Sequence, residues 1–203
     1  MNFSKFKPKD DKKIIEYISS EEEKSKAWVT AGELARVIYV CDVCGISAFS
    51  AKGKEIVCKR CLTRTKIAPD GSLAREGASL PFAYPADLYA YQQDTVREAL
   101  LSPDVISSDM VAFYDVTSQR RVKILSKGKL VLYADRIIIS APNGEEIEFP
   151  FSEVEDVTLS GKGGVCIYYG EGVYYFSGKG DFCAVKYVNI FYKYKVRDGY
   201  LGI

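Results

Sequence analysis

The chain has 203 residues, of which 47% are hydrophobic and 27% charged, and this composition places it among soluble globular proteins of one or two domains. Its formal net charge is only +1, so no overall field draws it toward nucleic acid or an anionic membrane, and any such attraction must come from a local patch. Histidine is absent, which excludes Ser-His-Asp and Cys-His catalytic systems, a histidine general base and histidine metal ligands.

Common motifs of catalysis and phosphate binding are also missing. The sequence has no G-x4-GK[ST] loop and no G-x-S-x-G elbow, and the glycine-rich run at 161–164 lacks the strand-to-helix context of a phosphate loop. We therefore expect a protein that is not an enzyme.

The sequence shows no signal peptide and no membrane-spanning segment. It begins with the charged stretch MNFSKFKPKDDKK, and its longest apolar runs, such as Val37 to Cys41, are far shorter than the roughly 20 residues of a transmembrane helix. We expect a cytoplasmic protein, peripheral to the membrane if it binds lipid, in a reducing environment that keeps thiols free for metal.

Residues 1–35 are predicted to form a charged N-terminal arm with short helices. One helix is expected over Asp11 to Ser19, and Ser20 with Glu23 has the spacing of a capping box. Trp28 to Arg36 is predicted to form another short helix, whose tryptophan packs against the segment that follows.

Residues 36–75 contain the strongest motif, two C-x2-C pairs formed by Cys41, Cys44, Cys58 and Cys61. Each pair fits one tight turn, and four thiolates complete the tetrahedral set that suits Zn²⁺. The turn at 52–54, between the pairs, is typical of a zinc ribbon, and a redox pair or two disulfides are the alternatives. Four sulfur ligands leave no open position on the metal, so we expect a structural zinc ion.

The predicted ribbon is locally basic. Between residues 36 and 66, seven basic residues stand against Asp42 and Glu55; they are Arg36, Lys52, Lys54, Lys59, Arg60, Arg64 and Lys66. Such a cluster is typical either of a phosphate-binding surface or of an ordinary solvated face. Binding of nucleic acid through the basic ribbon is therefore one functional alternative.

Residues 76–106 are predicted to form a connector that contains a helix at about 86–102. Apolar side chains recur there at helical spacing, Pro85 fits the first turn, and Pro103 stops the pattern. The helix is acidic, and packing against a neighbouring domain is its expected role.

From residue 107 onward, the pattern changes to the two-residue period of strands. Eight strands are predicted, at Met110–Val116, Val122–Leu125, Lys129–Tyr133, Arg136–Ser140, Glu145–Phe149, Val157–Ser160, Gly164–Tyr169 and Val173–Ser177. Turns are expected at Lys127-Gly128 and, most clearly, at Asn143-Gly144.

The chain is predicted to close with one amphipathic helix from Asp181, as its N-cap, to about Lys195. Cys166 and Cys183 are expected to be small buried side chains, and a disulfide between them is the alternative.

The predicted fold class is α+β and mainly β, with a zinc ribbon, a linker helix and, over 107–203, a PH-like antiparallel β-sandwich with a C-terminal helix. Within it, Lys129 to Tyr194 resembles bacterial PH/GRAM-like domains. GKLVLYADRIIIS precedes a hairpin, FPFSEVEDVTL follows, and two aromatic strands lead to a helix that opens with Gly-Asp.

Over residues 35–195, the chain resembles the C-terminal extension of some bacterial 1-acyl-glycerol-3-phosphate acyltransferases. The resemblance is carried by Tyr39–Gly45, Cys58–Cys61, Tyr89–Leu100 and Tyr175–Tyr194. That family's catalytic domain uses a His-x4-Asp motif, which this histidine-free chain lacks. The resemblance therefore implies an accessory part without acyl transfer, and only the four zinc ligands carry over.

The predicted function is a non-enzymatic binding or regulatory module. A protein partner is favoured first, anionic lipid head groups second and nucleic acid third. The candidate lipid site is a group of five basic residues within ten positions, where guanidinium and ammonium groups can hold phosphate oxygens: Arg120, Arg121, Lys123, Lys127 and Lys129.

Overall fold

The computed structural model describes residues 29–101, 103–118, 122–161 and 163–197. Over these residues the protein is α+β and mostly β, as predicted, with three helices and 13 strands in antiparallel sheets. The predicted helix at Asp11 to Ser19, the capping box at Ser20 and the packing of Trp28 lie outside the described residues. The division into arm, ribbon, connector and C-terminal domain stays a prediction.

The helices are α1 (Ala31–Val37), α2 (Pro85–Ala99) and α3 (Ala184–Arg197). The strands of the N-terminal half are β1 (Val40–Cys41), β2 (Gly45–Ile46), β3 (Phe49–Lys52), β4 (Glu55–Cys58), β5 (Arg64–Ile67) and β6 (Leu73–Ala74). Those of the C-terminal half are β7 (Ser107–Asp115), β8 (Val122–Leu132), β9 (Arg136–Ser140), β10 (Glu146–Pro150), β11 (Val154–Ser160), β12 (Gly164–Tyr169) and β13 (Gly172–Gly178).

Two small sheets build the cysteine-bearing half. β1 pairs with β2, and β3 to β6 form a four-stranded sheet in chain order. The β3–β4 turn lies at residues 52–55, as predicted, and Gly53 adopts a φ of +61° there, a conformation that suits glycine. α1 packs against this sheet through Ala31, Leu34 and Ala35.

Helix α2 joins the two halves. Pro85 stands at its first turn, and Asp87 accepts a hydrogen bond from the backbone N–H of Tyr84 at 2.9 Å. It ends at Ala99 rather than near Ser102, because its last turn tightens: the N–H of Leu101 donates to Glu98 O, three residues back.

The seven strands of the C-terminal half form one antiparallel sheet in the order β10-β9-β8-β7-β13-β12-β11. The first strand, β7, therefore pairs with the last, β13, and α3 packs against β11 and β12. Aromatic side chains fill the centre of the core, where the rings of Phe113 and Phe176 stack 4.7 Å apart.

The predicted turn at Lys127-Gly128 is wrong, because β8 runs unbroken from Val122 to Leu132. Gly128 pairs with Val111 inside the sheet, and a Cβ added to it would lie 2.7 Å from Cδ1 of Ile139. The glycine thus allows close packing within a strand instead of reversing the chain. Two of the eight predicted strands merge as a result.

The hairpin at Asn143-Gly144 is confirmed, with Ile147 opposite Ile139. The N-cap predicted at Asp181 is wrong, since α3 begins at Ala184. Asp181 instead forms an ion pair with Lys59 of the cysteine-bearing half, with Nζ and Oδ2 2.9 Å apart. Cys166 is half-buried, Cys183 is buried, and both are free thiols.

Candidate metal centre

The first cysteine pair lies on a tight turn between β1 and β2. Cys41 pairs with Gly45 across the two strands, and Gly45 adopts a φ of +79°. Its left-handed conformation reverses the chain directly after Cys44, which brings both thiols to the same side of the turn.

The second pair lies on a similar turn at the end of β4. The N–H of Leu62 donates to the carbonyl of Cys58 at 3.0 Å, and the N–H of Cys58 donates to Thr63 O at 2.9 Å. Leu62 follows Cys61 as Gly45 follows Cys44, and it takes a φ of 61°, unusual for a side chain of this size. The two turns thus repeat one backbone shape around the four thiols.

The four cysteine sulfurs converge on one point. All four Sγ atoms lie within 4.8 Å of one another, with Cys41 and Cys61 3.6 Å apart and Cys44 and Cys58 3.5 Å apart. A disulfide needs about 2.05 Å, whereas a metal ligated by four sulfurs at about 2.3 Å separates them by about 3.8 Å. All four thiols are free, so the cluster can hold a metal ion such as zinc.

The surroundings of the thiols fit ligation. Burial raises the pKa of Cys41 and Cys44, and each is also raised by its neighbouring thiols. Burial opposes ionisation of Cys61 as well, but hydrogen bonds from the hydroxyl and backbone N–H of Thr63 lower its pKa to about 6. Four crowded thiolates repel one another, so a dication is the natural counter-charge for the set.

An ion pair outside the four thiols fixes the first turn. Arg75 donates to both carboxylate oxygens of Asp42 at 2.7 Å each and to Thr65 Oγ1 at 3.2 Å. The side chains of Arg75 and Asp42 are only 13% and 11% exposed. Sequence reasoning missed this pair, since no local pattern links residues 33 positions apart.

The turns are also joined to the helices. Gln92 of α2 is fully buried, and its Oε1 accepts hydrogen bonds from the N–H of Tyr39 at 2.5 Å and of Val40 at 3.3 Å. Asn189 of α3 donates to the hydroxyl of Tyr39 at 2.9 Å. The strand that carries Cys41 is therefore anchored to both long helices.

Three residues of the predicted lipid site lie exposed on β8, namely Lys123, Lys127 and Lys129, whereas Arg120 and Arg121 lie outside the described residues. Lys123 Nζ lies 5.7 Å from the centroid of the Tyr114 ring. Apolar side chains are exposed on the same two strands. Met110, opposite Lys129, is 50% exposed, and Val122 and Ile124, which alternate with Lys123 along β8, are 55% and 42% exposed.

The basic residues of the ribbon are partly neutralised. Lys59 pairs with Asp181, and Arg64 Nη1 lies 3.2 Å from Glu55 Oε2. Lys52, Lys54 and Lys66 are exposed.

A buried polar cluster that sequence reasoning also missed joins α3 to β7. Lys186 Nζ lies 2.6 Å from Asp109 Oδ2 and donates to Ser107 Oγ at 2.6 Å. The hydroxyl of Tyr187 donates to Asp109 Oδ2 at 2.6 Å. Burial and Asp109 together raise the pKa of Tyr187 well above its usual value.

Over the described residues, no helix combines the length and hydrophobicity needed to span a bilayer. Comparison with known proteins finds no match to a family model or to a curated protein.

Proposed function

We propose that the protein is a non-enzymatic binding module, in which a structural zinc ribbon supports a PH-like sandwich that docks on anionic membrane surfaces. The strand order of the C-terminal half supports the PH-like assignment. Its first strand lies between the second and the last, as in a seven-stranded sheet that bends over itself, and one helix follows the last strand. A PH-like fold does not by itself specify a ligand, so the proposed function is argued from the chemistry of the exposed surface.

Zinc bound by Cys41, Cys44, Cys58 and Cys61 has a structural role in this proposal. Four thiolates fill a tetrahedral site, and the free energy of ligation then contributes to folding. We expect elemental mass spectrometry to find one zinc ion per chain in the purified protein. The variant Cys58→Ser should contain no zinc and should have a lower free energy of unfolding. Cys166→Ser is the matched control and should keep the metal. If removing the metal from the wild-type protein leaves its free energy of unfolding unchanged, the structural role is contradicted.

Acid should remove the metal, because protons compete with it for the thiolates. The sign follows from the raised pKa of Cys41 and Cys44: their protonated forms are favoured in the absence of metal, so metal binding must release protons. Affinity is therefore expected to fall as the pH decreases, and a titration with a chromophoric chelator measures it. A pH-independent affinity would contradict thiolate ligation.

The main support for membrane docking comes from the side chains that β8 and its neighbour β7 expose to solvent. Lys123, Lys127 and Lys129 are exposed along β8. Met110 lies opposite Lys129 in the register and is exposed, and the apolar side chains of Val122 and Ile124, which alternate with Lys123 at the start of β8, are exposed as well. Cations attract anionic head groups at about 1 kcal/mol each, and exposed apolar side chains gain free energy on entering the interface. Lipid surfaces offer both interactions together.

Vesicle sedimentation with the full chain tests the proposal. We expect binding to vesicles that contain phosphatidylserine and not to pure phosphatidylcholine, with a steep loss as salt rises. Lys123→Glu/Lys127→Glu removes at least about 2 kcal/mol, a weakening of about 30-fold. Lys54→Glu is the control, because it reverses an exposed lysine on the ribbon turn. Equal binding by wild type and the double variant would refute docking through β8.

Two observations support this proposal over the alternatives. The side chains of the ion pair between Lys186 and Asp109 are only 2% and 11% exposed, so a substrate would have little access to them. Two of the ribbon's basic residues, Lys59 and Arg64, already pair with carboxylates, which weakens the case for nucleic acid.

A further inference from the structure

A groove runs between α2 and α3, with a volume of about 530 Å³. Gln93 and Arg97 line it from α2, four residues apart and therefore on one face of that helix, and Leu101 lines it just past the end of the helix. Tyr192, Lys193 and Val196 line it from α3 at helical spacing. Both helices therefore present one continuous stripe to the same groove.

Two contacts between the helices lie at the two ends of these stripes. At one end, the hydroxyl of Tyr89 donates to Asn189 Oδ1 at 3.5 Å. At the other, Arg197 Nη1 donates to the carbonyl of Leu100 at 2.7 Å. These two hydrogen bonds hold α2 and α3 in place relative to each other on either side of the groove.

Three apolar side chains that line the groove are exposed. Leu101 is 80% exposed, Tyr192 40% and Val196 37%. Adjacent exposed apolar side chains that are bordered by polar groups are typical of an interaction site. A partner that covers these side chains would be stabilised on binding in proportion to the apolar area removed from water.

Among the described residues, the charged side chains that line the groove are cationic, with Arg97 on the α2 side and Lys193 and Arg197 on the α3 side, and no described carboxylate lines it. Arg97 Nη1 lies 3.5 Å from Asp94 Oδ1, but both side chains are at least 70% exposed, and such a pair contributes little. Gln93 adds a buried side-chain N–H that has no acceptor among the described residues.

We propose that this groove binds an acidic amphipathic helix of a protein partner. An apolar floor bordered by Arg97 on one side and by Lys193 and Arg197 on the other matches a helix whose apolar residues recur at i, i+3, i+4 and i+7 and whose flanks carry Asp or Glu. The site is separate from β8 and does not depend on membrane docking.

Fluorescence anisotropy with the full chain tests the groove. The probe is a labelled synthetic helix with leucine at i, i+3, i+4 and i+7 and glutamate on both flanks, and its partner peptide carries lysine in place of every glutamate. We expect saturable binding of the acidic peptide and at least about tenfold weaker binding of the basic one, with a loss of affinity as salt rises.

Lys193→Glu and Leu101→Glu should each weaken binding of the acidic peptide about tenfold or more. Leu101 is so exposed that its replacement leaves folding intact, and Lys54→Glu on the distant ribbon turn is the control for charge. Absence of peptide binding, or equal binding by wild type and both groove variants, would overturn the proposal. So would binding of dodecanoate without the peptide, or dimerisation that Leu101→Glu abolishes, because the occupant would then be a fatty acid or a second copy. Vesicle binding is a separate readout, so each proposal can fail alone.

Discussion

Gln92→Leu tests whether one buried side chain holds the cysteine-bearing half against the helices. The substitution removes the acceptor of two N–H groups, those of Tyr39 and Val40, which are 0% and 1% exposed. A buried N–H without a partner costs about 1–3 kcal/mol, and the longer bond to Val40 belongs at the lower end. We therefore expect Gln92→Leu to lower the free energy of unfolding by about 2–4 kcal/mol, a large share of the 5–15 kcal/mol typical of a folded domain.

Urea unfolding followed by circular dichroism measures this loss, and Gln93→Leu is the matched control. Gln93 is the next residue of the same helix, is half-buried, and has a side-chain N–H without an acceptor among the described residues. Its replacement removes a buried N–H that already lacks a partner, so it should leave the free energy of unfolding unchanged or raise it. Hydrogen exchange should also speed up at the N–H groups of Tyr39 and Val40 in Gln92→Leu alone. If the two variants lose equal stability, the reasoning from unsatisfied N–H groups fails.

Two further substitutions test packing in the C-terminal half by the same unfolding assay. Lys186→Met leaves the carboxylate of Asp109 buried without its ammonium partner and should lower the free energy of unfolding by about 3–5 kcal/mol. The double variant Lys186→Met/Asp109→Leu should recover at least half of that loss. If the single and double variants lose equal stability, the ion pair is not the cause. Gly128→Ala should cost about 1–3 kcal/mol, because its Cβ would lie 2.7 Å from Cδ1 of Ile139. Gly163→Ala, where a Cβ meets nothing within 4 Å, should cost nothing, and an equal shift in Tm for the two glycine variants would contradict the packing role of Gly128.

The cysteine cluster could be predicted from sequence because its geometry is local. Each C-x2-C pair occupies one turn, and a single hairpin at residues 52–55 brings the two turns together. The strands from Arg136 onward were predictable for a similar reason, since alternation and tight turns such as Asn143-Gly144 specify neighbouring pairs. These features need only short-range information.

The polar contacts that join the elements could not be predicted in this way. Gln92 and Tyr39 are 53 positions apart, and Lys186 and Ser107 are 79 apart. By residue type alone, Gln92 would be expected to face solvent, and only the tertiary fold reveals that its amide oxygen accepts from buried N–H groups. A polar residue that serves a distant partner has the same local pattern as one that faces solvent.

Glycine and aspartate misled the sequence reasoning for physical reasons. Gly128 has the residue type of a turn, but its lack of a side chain is used for close approach to Ile139. Asp181 has the residue type of an N-cap, but its carboxylate pairs with Lys59, and α3 begins three residues later, at Ala184. In both cases a tertiary contact outweighed the local preference.

The four cysteines lie next to the residues that join the cysteine-bearing half to the rest of the protein. Cys41 follows Tyr39 and Val40, whose N–H groups bond to α2, and Cys58 precedes Lys59, which pairs with Asp181 just before α3. Helix α2 adds to both cores, with Leu88 in the cluster around the cysteines and Val96 in that of the seven-stranded sheet. A metal ion held by the four thiols, as we propose, would therefore stabilise the same contacts that position α2 and α3.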